Sequence, residues 1–111
     1  MDVMYYKSDN NQTPFTTWLR ELGDVKGRAK IHVRINKVRL RNFGDHGSVG
    51  KGVWELKEHF GPGYRIYFGK PHESTILILC GGIKKRQSTD IVRAKLFWSE
   101  YKLRMSQGDK Q

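Results

Sequence analysis

The sequence predicts an α+β domain: a largely antiparallel β-sheet with two N-terminal helices packed on one face and a C-terminal helix. Three observations predict it. The stretch 52–68 alternates with period 2 on both arms of a Gly61-Pro62-Gly63 turn, the pattern of a hairpin of half-buried strands. Phe15, Trp18, Leu19 and Leu22 fall at i, i+3, i+4, i+7, the stripe of an amphipathic helix. Ile76-Leu77-Ile78-Leu79-Cys80 is apolar on both faces, as a central strand is. The order is strand, two helices, three strands, helix, within one domain of 111 residues. The helices are expected on one face of the sheet, with the other face open and basic.

The elements follow in order. Residues 3–7 read as a short strand, ended by the polar run 8–12. Thr13 is placed as an N-cap and Pro14 at the first helical position. Gly23 stops that helix and Asp24 caps the next, which should run from about 25 to 41. Its apolar stripe is Ile31, Ile35 and Val38. Its other positions carry Lys26, Arg28, Lys30, Arg34, Lys37, Arg39 and Arg41, with no acid after Asp24. A solvated face is the bland reading. A surface chosen for stability would mix signs, so the uniform sign favours a binding face, with Lys30, Arg34, Lys37 and Arg41 as nucleic-acid contacts.

The segment 42–52 reads as a flexible loop over the sheet. Its glycines do not make a phosphate loop: the spacing is wrong and a strand follows instead of a helix. After the hairpin comes the strand 74–80, broken by Gly81-Gly82. Lys84, Lys85, Arg86 and Gln87 then place further nucleic-acid contacts where the strand leaves the sheet. Ser88 or Thr89 should cap the last helix, with Asp90 in its first turn. Residues 105–111 are expected to fray.

Composition narrows the partners. Hydrophobic residues make up 37%, enough for one modest core. Lys and Arg number 21 against 11 Asp and Glu, a net charge of +10. On a small domain that excess points to nucleic acid first and an acidic protein second. A membrane ranks third, because no apolar run approaches the ~20 residues of a span. The start of the chain has no basic-then-apolar signal, and Cys80 is the single cysteine. Both suit a reducing cytoplasm.

The four histidines show no metal-ligand spacing and one cysteine builds no zinc site. Cys80 reads as a packed thiol. Trp18, Trp54 and Trp98 all sit on apolar stripes and read as core. What survives is the hairpin. If Phe60 pairs with Tyr64, His59 faces Arg65, Lys57 faces Tyr67 and Glu55 faces Gly69. Trp54, Leu56, Phe60, Tyr64, Ile66 and Phe68 share one face; Glu55, Lys57, His59, Arg65 and Tyr67 share the other. For Glu55 or Lys57 alone, an exposed sheet face with scattered charges explains as much. Arg65 is different, because it sits mid-strand among large apolar residues. Its guanidinium fork matches a phosphate. Arg65, Lys57 and Lys84 around one phosphate, with Glu55 or His59 as base, make RNA cleavage sensible: the 2′-hydroxyl is the nucleophile. No metal or cofactor is needed for that chemistry.

Several strings together resemble the RelE/ParE toxin superfamily, within it the HigB-like "addiction module killer" branch. They are Phe15-x-x-Trp18-Leu19, Asn42-Phe43-Gly44-Asp45, Gly52-Val53-Trp54-Glu55-Leu56, the run from Gly61 to Phe68, Leu79-x-Gly81-Gly82-x-Lys84 and Gln87-x-x-Asp90-Ile91. The resemblance covers roughly residues 4 to 101. It implies a RelE-like fold and the toxin of a type II toxin–antitoxin system, an mRNA interferase. Such toxins cleave mRNA on the ribosome without metal and inhibit translation. It also implies a cognate antitoxin, HigA-like, with a helix-turn-helix domain. Arg65 matches the strand arginine that contacts the scissile phosphate. Glu55 and Lys57 match polar positions of the preceding strand, and Lys84 the base after the last long strand. Three departures stand out. Ile83 replaces a commonly acidic residue, Lys85-Arg86 replace small polar ones, and a terminal His-Tyr pair is missing. The last leaves the general acid and base open. The alternative within the superfamily is a ParE-like poison that binds DNA gyrase without chemistry.

Overall fold

The computed structural model describes residues 1–108. It is an α+β fold with a five-stranded mixed sheet and three helices. The strands are β1 (Asp2–Tyr5), β2 (His46–Gly50), β3 (Val53–Glu58), β4 (Tyr64–His72) and β5 (Thr75–Ile83). The helices are α1 (Pro14–Glu21), α2 (Val25–Arg39) and α3 (Gln87–Gly108), the last preceded by a 3-10 turn at Lys84–Arg86. Strand order is β1-β5-β4-β3-β2. The β2–β3, β3–β4 and β4–β5 pairs are antiparallel, whereas β1 runs parallel to β5. Two helices separate β1 from the rest of the sheet in sequence, long enough for a crossover that brings β1 back parallel.

Local chemistry explains the helix starts. Pro14 stands at the first position of α1, although Thr13 makes no side-chain cap bond. The Asp24 carboxylate accepts from Gly27 N at 2.9 Å and caps α2. α3 begins at Gln87, ahead of the predicted Ser88 or Thr89 cap, because the 3-10 turn winds directly into it. It continues through Met105 to Gly108, where fraying was expected; residues 109–111 of that tail lie outside the described residues.

The sheet is covered on both sides, which corrects the expected open face. Phe15 and Leu19 of α1 and Ile31, Ile35 and Val38 of α2 pack with Leu56, Ile66, Phe68, Ile76 and Ile78. On the opposite face Ala94 and Trp98 of α3 pack with Val53, Tyr67, Leu77 and Cys80. Tyr67, placed by the sequence on an open patch, is therefore fully buried.

Two other expectations change. The segment 42–52 is not all loop, since β2 forms the sheet edge against β3. Its residues His46-Gly47-Ser48-Val49-Gly50 lack the alternation that marks a half-buried strand, and edge strands are free to be polar. Gly81-Gly82 does not break the last strand. A Cβ at Gly81 would meet the Trp18 ring at 2.5 Å, and one at Gly82 would overlap the Asp90 carboxylate. These glycines admit close neighbours on each face of β5.

Candidate functional site

β3, β4 and the first turn of α3 bring the polar groups together on the α3 face of the sheet. The observed register sets Glu58, not Phe60, opposite Tyr64. Lys57 consequently faces Arg65, and Glu55 faces Tyr67. The faces stay as predicted, because the slip moves β3 by an even number of positions. His59 falls outside β3, in the loop 59–63. It is exposed, and its Nε2 donates to Asp45 Oδ2 at 2.6 Å. That bond holds the Asp45 carboxyl below its usual range. His59 is thus not the partner of Arg65 that the sequence predicted.

Arg65 is 3% exposed. Its Nη1 donates to Tyr64 O at 3.1 Å, while its Nε is buried with no hydrogen-bond partner among the described residues. Among the described residues no carboxylate lies within ion-pair distance of it. Gly63, at φ +81°, lets the Lys84 stem and the Arg65 fork meet over its backbone: a Cβ there would lie 3.3 Å from Lys84 Cβ and 3.6 Å from Arg65 Nη1. Lys84 is anchored by its own N–H, which donates to Gly63 O at 2.7 Å.

Glu55 is also buried. The Gln87 amide donates to both carboxylate oxygens, at 3.1 and 2.9 Å, and Lys57 Nζ lies 3.9 Å away. Gln87 is therefore occupied inside the protein, which corrects its expected place as a nucleic-acid contact. Beneath lie Tyr67 and Cys80, paired across β4 and β5. The Tyr67 hydroxyl has no hydrogen-bond partner among the described residues. Burial, with help from Glu55 and Asp90, pushes its pKa up, and Arg65 opposes this. The phenol stays protonated. Burial pushes the Cys80 thiol up to about 12, so it is no nucleophile at neutral pH. Asp90, over Gly82, also has its carboxyl pushed up by burial, against the pull of Arg93 and Arg86. Sequence reasoning set Tyr67 on this face without giving it a role, and placed Asp90 only in the first turn of the last helix. Tyr67 carried the right strand parity, and only the position of α3 shows what covers it.

The basic helix lies elsewhere. α2 packs on the other face of the sheet, so its cations do not surround Arg65. Arg34 is corrected outright: it is buried. Its guanidinium donates to the carbonyls of Phe43, Asp45 and Lys57 at 2.6–3.2 Å. It ties α2 to the loop before β2 and to β3, and is unavailable to nucleic acid. Lys30, Lys37 and Arg41 are exposed. Lys30 Nζ sits 5.0 Å from the Phe60 ring centroid, and Arg41 donates to Ser74 Oγ at 3.1 Å. The face they share is not purely basic, since Val25, Val33 and Leu40 are exposed along it. Lys85 and Arg86 are exposed on the turn after β5.

Chemically, the arrangement offers a guanidinium without a counter-charge among the described residues, the ammonium groups of Lys57 and Lys84, and a carboxylate held in place by an amide. That set suits an anion, a phosphate above all. Among the described residues no three His, Cys, Asp or Glu side chains gather where they could hold a metal ion. Among the described residues no helix is long and apolar enough to cross a membrane. No protein-family model matches the chain. A protein of Haemophilus influenzae, named as an uncharacterized protein, is 41% identical over 86 residues, covering 78% of this chain and 87% of that protein. With that identity over most of both lengths, the chain belongs to the same family as the H. influenzae protein.

Proposed function

We propose that this protein is a RelE-like toxin of a type II toxin–antitoxin pair, an endoribonuclease that cleaves mRNA on the ribosome in the cytoplasm without a metal. The observation that carries the reading is Arg65, a buried arginine with an unpartnered Nε and a lysine directly across the ladder. A purely structural arginine would be paired, as Arg34 is. The sequence resemblance around Gly61–Phe68 supports the same assignment.

In this reading Arg65 holds the scissile phosphate and stabilises the charge that develops on it, assisted by Lys57 and Lys84. Arg65 is nearly closed off, so the exposed Lys84 side chain swings aside as RNA enters. The 2′-oxygen attacks phosphorus and the 5′-oxygen leaves, taking a proton from water, to give a 2′,3′-cyclic phosphate and a 5′-hydroxyl. Glu55 takes the 2′-proton once Gln87 releases it. The exposed Lys85, Arg86, Lys30, Lys37 and Arg41 contact ribosomal RNA. A cognate HigA-like antitoxin silences the site.

The test is mRNA cleavage on purified ribosomes by folded Arg65→Ala protein. Losing one oriented donor to a transition-state anion should cost about 10²–10³ in rate. Normal cleavage by the variant would refute the site. If the wild type leaves mRNA intact and stops DNA replication first, the protein is instead a gyrase-binding poison.

A further inference from the structure

We propose that the cleft between the outer face of α3 and the β2–β3 turn docks an acidic amphipathic helix of a partner protein. This does not depend on the reading of Arg65. The cleft lies beside Lys95, eight residues along α3 from Gln87, about 12 Å of helical rise from the polar site.

The first observation is an unused apolar seam. Val92, Leu96 and Leu103 are 67%, 56% and 61% exposed. They fall at i, i+4 and i+11 of α3, with Ser99 at i+7, the spacing by which one helix reads another. The residues that pack α3 on the sheet, Ala94 and Trp98, point the other way. So the fold uses one apolar side of α3 and leaves a second in water.

The second observation is the charge around that seam. Lys51, Lys95 and Lys102 line the same cleft, of about 720 Å³, with Val92 and Leu96. A Cβ at Gly50 would lie 3.4 Å from Lys95 Nζ, which puts that ammonium beside the turn carrying Lys51. Lys102 Nζ lies 5.6 Å from the Trp98 ring centroid. Among the described residues none of the three has a carboxylate in ion-pair distance.

The third is strain. Lys51 has φ +57°, a left-handed conformation that Asn or Gly adopts more readily in a hairpin turn. Non-glycine residues held in this region cluster at ligand clamps and switch regions.

These features select one occupant. A second copy of this chain would set lysine against lysine at a net charge of +10. RNA would find cations but no use for an aliphatic floor. A membrane surface would need a wider apolar face than the three side chains of this seam. An acidic helix answers the apolar seam and the charge around it: its aliphatic side chains cover Val92, Leu96 and Leu103 while its carboxylates reach the three lysines.

The experiment is a titration of ¹⁵N-labelled protein with a synthetic helical peptide of Glu and Leu, its leucines at i, i+4, i+7 and i+11. The controls are a scrambled peptide of the same composition and a short single-stranded RNA. The helical peptide is expected to shift the amides of Lys51, Val92, Lys95, Leu96 and Lys102. It should bind at least about tenfold tighter than the scramble. Leu96→Ser and Lys102→Glu, both at exposed positions, should each weaken it about tenfold without unfolding the protein. Equal binding of the two peptides would reduce the cleft to unspecific charge and overturn the proposal. So would shifts confined to α2, no shift at all, or occupation of the cleft by RNA and not by peptide.

Discussion

Lys57 and Arg65 stand directly opposite each other on the β3–β4 ladder, two cations on one sheet face. Like charges in that relation destabilise a sheet. Glu55, 3.9 Å from Lys57 Nζ, offsets the repulsion only in part, since Gln87 holds both of its oxygens. Lys57→Thr should therefore raise stability by about 0.2–1 kcal/mol. Phosphate should raise the melting temperature of the wild type, and that of this variant by much less. Thermal melts with and without phosphate check both. Equal phosphate responses would show that Lys57 contributes nothing to an anion site.

Arg34 gives a contrasting expectation. Arg34→Ala leaves the carbonyls of Phe43, Asp45 and Lys57 without this donor. Loss of several charge-assisted bonds at a buried position should cost about 3 kcal/mol or more. Charge reversal at exposed Lys30 or Lys37 should stay within about 0.5 kcal/mol while weakening binding to ribosomes, more so at low salt. Urea unfolding of the three variants separates a structural arginine from surface cations. An Arg34→Ala protein as stable as the wild type would restore Arg34 to the candidate RNA contacts.

Alkaline pH should loosen the fold. Burial pushes Cys80 up to about 12, and burial with the Asp24 bond does the same for Tyr64; Tyr67 moves in the same direction. In the unfolded chain these groups lose protons near ~8.5 for a thiol and ~10 for a phenol. The folded state then binds more protons, so stability falls as pH rises. The contribution is complete below about pH 8 and is lost progressively from there toward about pH 12. Urea midpoints across that range should fall. Cys80 should resist a thiol reagent at pH 8 until urea is added. Rapid labelling of the native protein would contradict its burial.

Much of this fold was legible because its signals are local. The helix stripe of Phe15 and Leu19, the Asp24 cap and the face parity of Leu56 against Arg65 each follow from spacing of a few residues. The register of the hairpin did not follow, because three-residue and five-residue loops both accommodate Gly61-Pro62-Gly63. β2 escaped notice because an edge strand of Gly and Ser carries no alternation. Gly81-Gly82 reads as a breaker from sequence, yet the pair serves Trp18 and Asp90, neighbours that no local pattern announces. Of the site, Arg65 and Lys84 were readable from strand position and charge. The occupation of Gln87 by Glu55 and the burial of Arg34 depend on contacts between distant segments.

Tyr67 tests the interior of the site. Its buried hydroxyl lacks a partner, and such a group costs about 1–3 kcal/mol. Tyr67→Phe removes the group and keeps the ring. Stability should rise by about 1 kcal/mol. Cleavage should change by less than about threefold, since a fully buried phenol does not touch RNA. A folded variant with cleavage reduced by about 10² would instead mark the phenol as an acid or base.

Arg65 provides the sharpest test, because its structural and functional roles predict opposite signs. A buried charge with no counter-charge is unfavourable, and replacing buried ionic groups with apolar ones of similar size can stabilise a protein by about 1–4 kcal/mol. Among the described residues Arg65 makes one hydrogen bond, to Tyr64 O, and leaves Nε unpaired. Arg65→Met keeps much of the side-chain volume and removes the charge. If the arginine is kept for phosphate, this variant should unfold at higher urea than the wild type, lose its response to phosphate and lose toxicity when expressed alone. Arg65→Lys, which keeps the charge but not the fork, should recover little of the activity. Both readouts are needed together. An Arg65→Met protein destabilised by several kcal/mol would make the residue a structural brace like Arg34, and loss of toxicity would then reflect loss of the fold. A stabilised, inactive Arg65→Met protein would assign the arginine to the work of the site.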